Sequence, residues 1–206
     1  MNSPPPLKNC HIENRNELER ARGTFFRCTL SVKLRIAKKY SHLHATFLEL
    51  THFPFNATFF DKSPDSNWLV AWHQDTALPL TEKCEIPGWG PWSLKGGVNY
   101  AHAPSTALEQ VLALRVYLDN STAENGPLRV IPGTHGCGVL TDAEIQERVG
   151  DAAGVACTVP AGGVVAMRPL VIHASSKSES ELPRRVLHIE YATSRRIADG
   201  LELALV

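Results

Sequence analysis

The chain has 206 residues, 43% of them hydrophobic, and its 21 Lys+Arg balance 21 Asp+Glu, leaving zero formal charge with histidines neutral. That length supports one sizeable core. The charge balance supplies no long-range field to gather nucleic acid or an anionic membrane surface, although a local basic site for a small anion stays open. The five cysteines (Cys10, Cys28, Cys84, Cys137 and Cys157) are odd in number and contain no C-x-x-C pair. This argues against a disulfide framework and a thiolate zinc site, and makes the reducing cytoplasm the expected compartment. The N-terminus "MNSPPPLKNC" has no apolar leader, and no run approaches eighteen apolar residues, so a soluble protein is expected.

In chain order, residues 1–14 are proline-rich, poor in apolar side chains and expected to be a disordered tail. "ENRNELERAR" suits a short charged helix, and "LSVKLRIAKKY" fits a helix or a strand. Histidines 42, 44 and 52 show no metal-ligand spacing and read as partly exposed side chains. From there the pattern becomes β. "NATFFDK" (56–62) is a strand ended by the turn cluster "SPDSN", and "NWLVAW" leads into "WHQDTALPL". The segment "EIPGWGPWSLKGGVNYAHAPS" (85–105) reads as a long binding loop or lid. Its Trp89 and Trp92 are placed equally well at a substrate entrance or in packing, and His102 is a weak candidate for substrate contact.

"LALRVYLDN" (112–120) is a strand, "STAENGP" a turn in which Asn125-Gly126 can take positive φ, and "LRVIPG" (128–133) a short strand. His135 in "PGTH" has a turn role. "TDAEIQERVG" (141–150) is a helix with Thr141 and Glu144 as a capping box and Gly150 as its stop. "GVACTVP", "GGVVAMRPLVIH" and "RRVLHIEYA" complete a set of short strands between Gly/Pro turns, the pattern of a mainly β jelly roll with a few flanking helices. There is no internal repeat.

H-x-D alone is a common pair. Positions i and i+2 share a strand face, so His73 and Asp75 converge if the strand runs through them, with Gln74 turned away. His173 lies at the end of an apolar strand run. Two imidazoles and one carboxylate form the facial triad of non-haem Fe(II) oxygenases, with positions left open for a co-substrate and O₂. The same trio also suits zinc or manganese. In "PRRVLHIEYA", Arg184, Val186, His188 and Glu190 share one face, while Arg185, Leu187, Ile189 and Tyr191 share the other. The first would face a lined cavity. In "LRVYLD", Arg115 and Tyr117 lie opposite Leu114, Val116 and Leu118. Two strands can thus send arginines into one interior, where a buried cation needs an anion. A dicarboxylate gripped by the guanidinium fork would serve.

"WHQD", "YLDNSTAENGPLRVIPGTH" and "MRPLVIHASSKSESELPRRVLHIEYA" resemble the phytanoyl-CoA dioxygenase family of Fe(II)/2-oxoglutarate-dependent oxygenases, over roughly residues 56–195. The resemblance implies a double-stranded β-helix (jelly roll), with iron held by His73, Asp75 and His173. It implies that Arg184 holds the distal carboxylate of 2-oxoglutarate with help from Ser175, and that Arg115 lines the pocket beside the co-substrate. His188 reads as cavity-lining or as a structural hydrogen-bonding group. The implied reaction converts 2-oxoglutarate and O₂ into succinate and CO₂ while a small organic substrate is oxidised. Residues 15–206 are expected to form a single oxygenase domain, with 15–55 a poorly matched N-terminal cover. Two other readings stand beside this one: a metal-dependent β-barrel isomerase or hydrolase without 2-oxoglutarate, and a non-catalytic small-molecule-binding jelly roll. A cation beside the distal histidine distinguishes the oxygenase from the first, and intact metal ligands argue against the second.

Overall fold

The structure, a computed structural model, describes residues 53–150 and 154–206. The expectations for the tail, for the N-terminal helix and cover, and for histidines 42, 44 and 52 lie outside the described residues. Two four-stranded antiparallel sheets organise the rest. The first has the order β1 (Phe53–Lys62), β11 (Arg184–Ala192), β6 (Val111–Tyr117), β9 (Val164–Met167). The second runs β2 (Val70–His73), β10 (His173–Ser175), β7 (Leu128–Val130), β8 (Val155–Ala156). Strands from distant parts of the sequence alternate in both, as in a jelly roll.

Two expected elements are corrected. The segment 85–105 is not a structureless lid. It contains β4 (Trp92–Lys95) and β5 (Val98–His102), which pair with each other, and β5 also pairs with β3 (Ala77–Leu80). Gly96 and Gly97, at φ 56° and 80°, make the tight turn between β4 and β5, the geometry that favours two-residue hairpin loops. "GGVVAMRPLVIH" breaks into β9 and β10 around Pro169, so His173 begins a strand instead of ending one. In "STAENGP" only Gly126 takes a positive φ, at 64°. Asn125 instead uses its side chain, accepting from the Thr122 N–H and donating to the Asn120 carbonyl.

The β1–β11–β6 register sets the cavity wall. Lys62 lies opposite Arg184, Thr58 opposite His188 and Asn56 opposite Glu190, while Arg115 faces His188 from the other side. Leu187, Ile189 and Tyr191 on the reverse face are buried. Between the sheets, Ala113, Leu128, Met167 and Val171 form one apolar cluster. A second gathers Phe55, Leu78, Leu80, Leu108 and Leu203, with Trp89 and Trp92 packed against it, so both tryptophans have packing roles. A short helix, α1 (Ser105–Leu108), follows β5.

Helix α2 (Asp142–Val149) starts at Thr141 with the expected capping box, worth about 1 kcal/mol. Its Ile145 and Val149 bury against Ile172 and Trp72, the chain neighbours of His173 and His73. No helix among the described residues is long and apolar enough to cross a membrane.

Candidate metal centre

His73 closes β2, and Asp75 falls just beyond the strand, so strand alternation alone does not align them. Two contacts do so. The Asp75 N–H donates to the Pro169 carbonyl at 2.9 Å. The intervening Gln74, buried and turned off the site, donates to the carbonyls of Leu170 and Gly138 and accepts from the Leu140 N–H. This pins the H-x-D turn to the approach of β10, where His173 pairs directly with His73.

One ligand atom from each of His73, Asp75 and His173 falls within 4.8 Å of the others. Each histidine Nε2 lies 3.4 Å from a different Asp75 oxygen. His73 Nδ1 sits 2.8 Å from the Ala71 carbonyl, and His173 Nδ1 is 2.9 Å from that of Val171. A carbonyl can only accept, so these contacts place the protons on Nδ1 and leave both Nε2 lone pairs aimed inward. His173 is buried and the other two are half-buried.

The electrostatics suit a cation. Burial pushes Asp75 upward, but the His73 hydrogen bond, with the other imidazoles beside it, outweighs this and holds the pKa at about 2. Burial lowers His173, while the hydrogen bond that Asp75 can accept from a protonated His73 Nε2 raises His73, a proton whose place a bound metal would take. Two neutral nitrogens and a carboxylate are a donor set for Fe(II).

A cavity of about 420 Å³ opens from this trio along β11 and β1. At one end lies Arg184, 2% exposed, with Nε donating to the Asn125 carbonyl and Nη2 reaching Ser175 Oγ at 3.4 Å. Arg185 faces outward and pairs with Asp119 at 2.8 Å. Arg115 is buried, with Nη1 3.4 Å from His188 Nδ1 and its guanidinium over the Phe60 ring. The hydroxyl of Ser175 donates to the Gly126 carbonyl at 2.8 Å. Its oxygen therefore steers cations here.

Sequence reasoning missed Lys62. It is 1% exposed, and its Nζ donates to Ser175 Oγ at 2.7 Å and to the Ser176 carbonyl at 2.5 Å. Burial, with Arg184 and Arg115 nearby, lowers its pKa to about 8. A lysine on the inward face of the strand opposite Arg184 was the available signal, but reading it requires the strand pairing.

Arg184 Nη1, Arg115 Nε and the Tyr117 hydroxyl are buried with no hydrogen-bond partner among the described residues. No acidic side chain among the described residues pairs with Lys62, Arg115 or Arg184. Three buried cations without a counter-charge are costly unless an anion completes them, so these residues fit a dicarboxylate such as 2-oxoglutarate. At the far end of the cavity are Glu190, Asn56, Tyr100 and His102. His102 Nδ1 lies 2.7 Å from Thr76 Oγ1. Burial and the Arg115 charge lower His188 to about 3, so it lines the middle as a neutral ring. His135, in a 3₁₀ turn (Thr134–Cys137), is remote from this cavity.

Comparison with known proteins bears on both the fold and the site. L-Proline trans-4-hydroxylase of Streptomyces griseoviridis is 31% identical over 146 residues, covering 58% of this chain and 47% of that protein. The chain thus spans about half the length of the curated relative it matches. The crystal structure of EvdMO1 shares the fold with a TM-score of 0.54 at 22% identity, over 78% of this chain and 32% of that one. EctD from S. alaskensis, solved with 2-oxoglutarate and 5-hydroxyectoine, aligns at a TM-score of 0.48 and 19% identity, over 69% of this chain and 44% of that one. The model of the phytanoyl-CoA dioxygenase family matches residues 35–186, reaching further upstream than the motifs that carried the resemblance. With its jelly roll, its His-Asp-His cluster and that match, the chain belongs to the phytanoyl-CoA dioxygenase family.

Proposed function

We propose that this chain is an Fe(II)/2-oxoglutarate-dependent oxygenase that hydroxylates or otherwise oxidises a small organic substrate, releasing succinate and CO₂. The observation that carries the reading is one cavity joining the candidate metal-ligand trio to a cluster of buried cations with no counter-anion among the described residues. Bound Fe(II) and 2-oxoglutarate would supply activation of O₂. The relationship to a proline hydroxylase supports the same reaction class.

The protein's own share is placement. His73, Asp75 and His173 hold the metal, their tautomers and rotamers set by the Ala71 and Val171 carbonyls and by the Gln74 clamp. Arg184 and Lys62 grip the distal carboxylate of the co-substrate, with Ser175 positioning both cations and Arg115 completing the wall. Burial of the cation end excludes water and strengthens these charge-assisted bonds. Such a cluster has no evident use in an isomerase or hydrolase that does without the co-substrate. The three described cysteines are free, which suits the cytoplasmic location we propose.

The test is anaerobic reconstitution with Fe(II), then addition of 2-oxoglutarate and O₂ with succinate detection. Slow uncoupled turnover is expected, absent in His73→Ala and needing far more co-substrate in Arg184→Ala. Unchanged iron binding and turnover in His73→Ala would overturn the site.

A further inference from the structure

The cavity is electrically divided along β11. Arg184 marks the cation end, and Glu190 stands six residues further along the same strand, roughly 20 Å away at strand rise. Glu190 is 9% exposed and lines the cavity. Its one side-chain hydrogen bond among the described residues is from Asn56 Nδ2 to Oε2, at 2.6 Å. No Lys or Arg among the described residues pairs with it. Lys95, on the same rim, places its ammonium over the Tyr100 ring instead. A buried carboxyl with only an amide partner is incompletely compensated. The register explains why it is there: Asn56 and Glu190 are opposed across β1 and β11, beyond the Thr58–His188 row that separates them from the cation end.

We propose that Glu190, held by Asn56, is the recognition site for a protonated amine on the substrate, making the substrate class small amines or amino acids. The inference rests on the oxygenase reading, and it concerns the end of the cavity that the co-substrate does not use. An ammonium entering there gives Glu190 the counter-charge that the protein withholds, while a neutral amide or a carboxylate would leave it uncompensated or repelled. Tyr100 and Asp75 line the same cavity as Glu190, so a bound amine shares that space with the metal-ligand trio.

The full chain, loaded with redox-inert Zn(II) and 2-oxoglutarate, is titrated with n-butylamine, pyrrolidine and L-proline. Each probe is paired with its N-acetyl derivative, and binding is read by ligand-observed NMR. Amine members are expected to bind about tenfold or more tightly than their acetylated partners, by the charge-assisted bond. Glu190→Gln keeps the acceptor for Asn56 and should abolish that preference, whereas Glu190→Asp should retain it. Equal or tighter binding of the acetylated members, indifference of amine binding to Glu190→Gln, or no amine binding at all would each overturn the proposal. The affinity for 2-oxoglutarate is measured in the same samples, and its absence would sink the oxygenase reading separately. The amine comparison is then read on the Zn(II) protein alone.

Discussion

Replacing Lys62 with methionine should make the empty protein more stable and the co-substrate bind more weakly. The fall of Lys62 from 10.5 to about 8 corresponds to about 3 kcal/mol of disfavoured charge at neutral pH. The sign follows from proton counts. Between about pH 8 and 10.5 the unfolded chain keeps the lysine proton and the folded one does not, so stability rises with pH there. Below pH 8 the penalty is present in full. Methionine removes it, but takes away the shorter of the two bonds to Ser175 Oγ, leaving only Arg184 Nη2 at 3.4 Å, and the lysine donor to the Ser176 carbonyl, at a cost of about 1–2 kcal/mol. The net gain is about 1–2 kcal/mol, or about 3–6 °C in Tm for a domain of this size, read by thermal unfolding of metal-free protein. Loss of a buried charge-assisted bond to a carboxylate should weaken 2-oxoglutarate by about 10- to 100-fold, read by calorimetry on the Ni(II) form. Unchanged co-substrate affinity, or a lowered Tm, would refute the reasoning.

Arg184→Ala should weaken 2-oxoglutarate by roughly 2–4 kcal/mol in the same calorimetry. Arg185→Ala, whose guanidinium faces solvent beside Asp119, should leave affinity within about twofold. Binding a carboxylate raises the Lys62 pKa from about 8, so binding takes up a proton above that pH. Affinity for 2-oxoglutarate should therefore fall as pH rises past about 8, and Lys62→Met should flatten that limb of the profile. His73→Ala should cut Fe(II) affinity by more than the roughly 10- to 100-fold that loss of a supporting partner costs, measured by competition with a chelating dye. At Gly126, φ is +64° and an added Cβ would sit 2.4 Å from the Ser176 carbonyl and 3.1 Å from Lys62 Nζ. Gly126→Ala should therefore destabilise the fold by more than about 1 kcal/mol and weaken the co-substrate, measured by denaturant titration and calorimetry.

The sequence alone determined much of this protein, wherever the physics is local. Alternation along one strand separated Arg184 from Arg185, and the first is buried while the second meets Asp119 at the surface. A capping box announced α2 before any packing was known. The His-x-Asp, distal His and following Arg pointed to the metal trio in chain order, although strand alternation was not what aligned the first two. That alignment came from the Pro169 carbonyl and the Gln74 clamp, contacts across about a hundred residues. The Gly96-Gly97 hairpin carried a local signal that its tryptophan-rich surroundings obscured.

Only the tertiary structure could decide what stands opposite what. Lys62 faces Arg184 and Asn56 faces Glu190 because β1 and β11 pair in one register, and a shift of a single residue would turn every one of these side chains to the other face. Pairing of strands more than a hundred residues apart leaves no mark in either strand read alone. The candidate metal ligands were therefore legible in the chain. The buried cations at one end of the cavity and the buried Glu190 carboxyl at the other appeared only when the sheet was assembled.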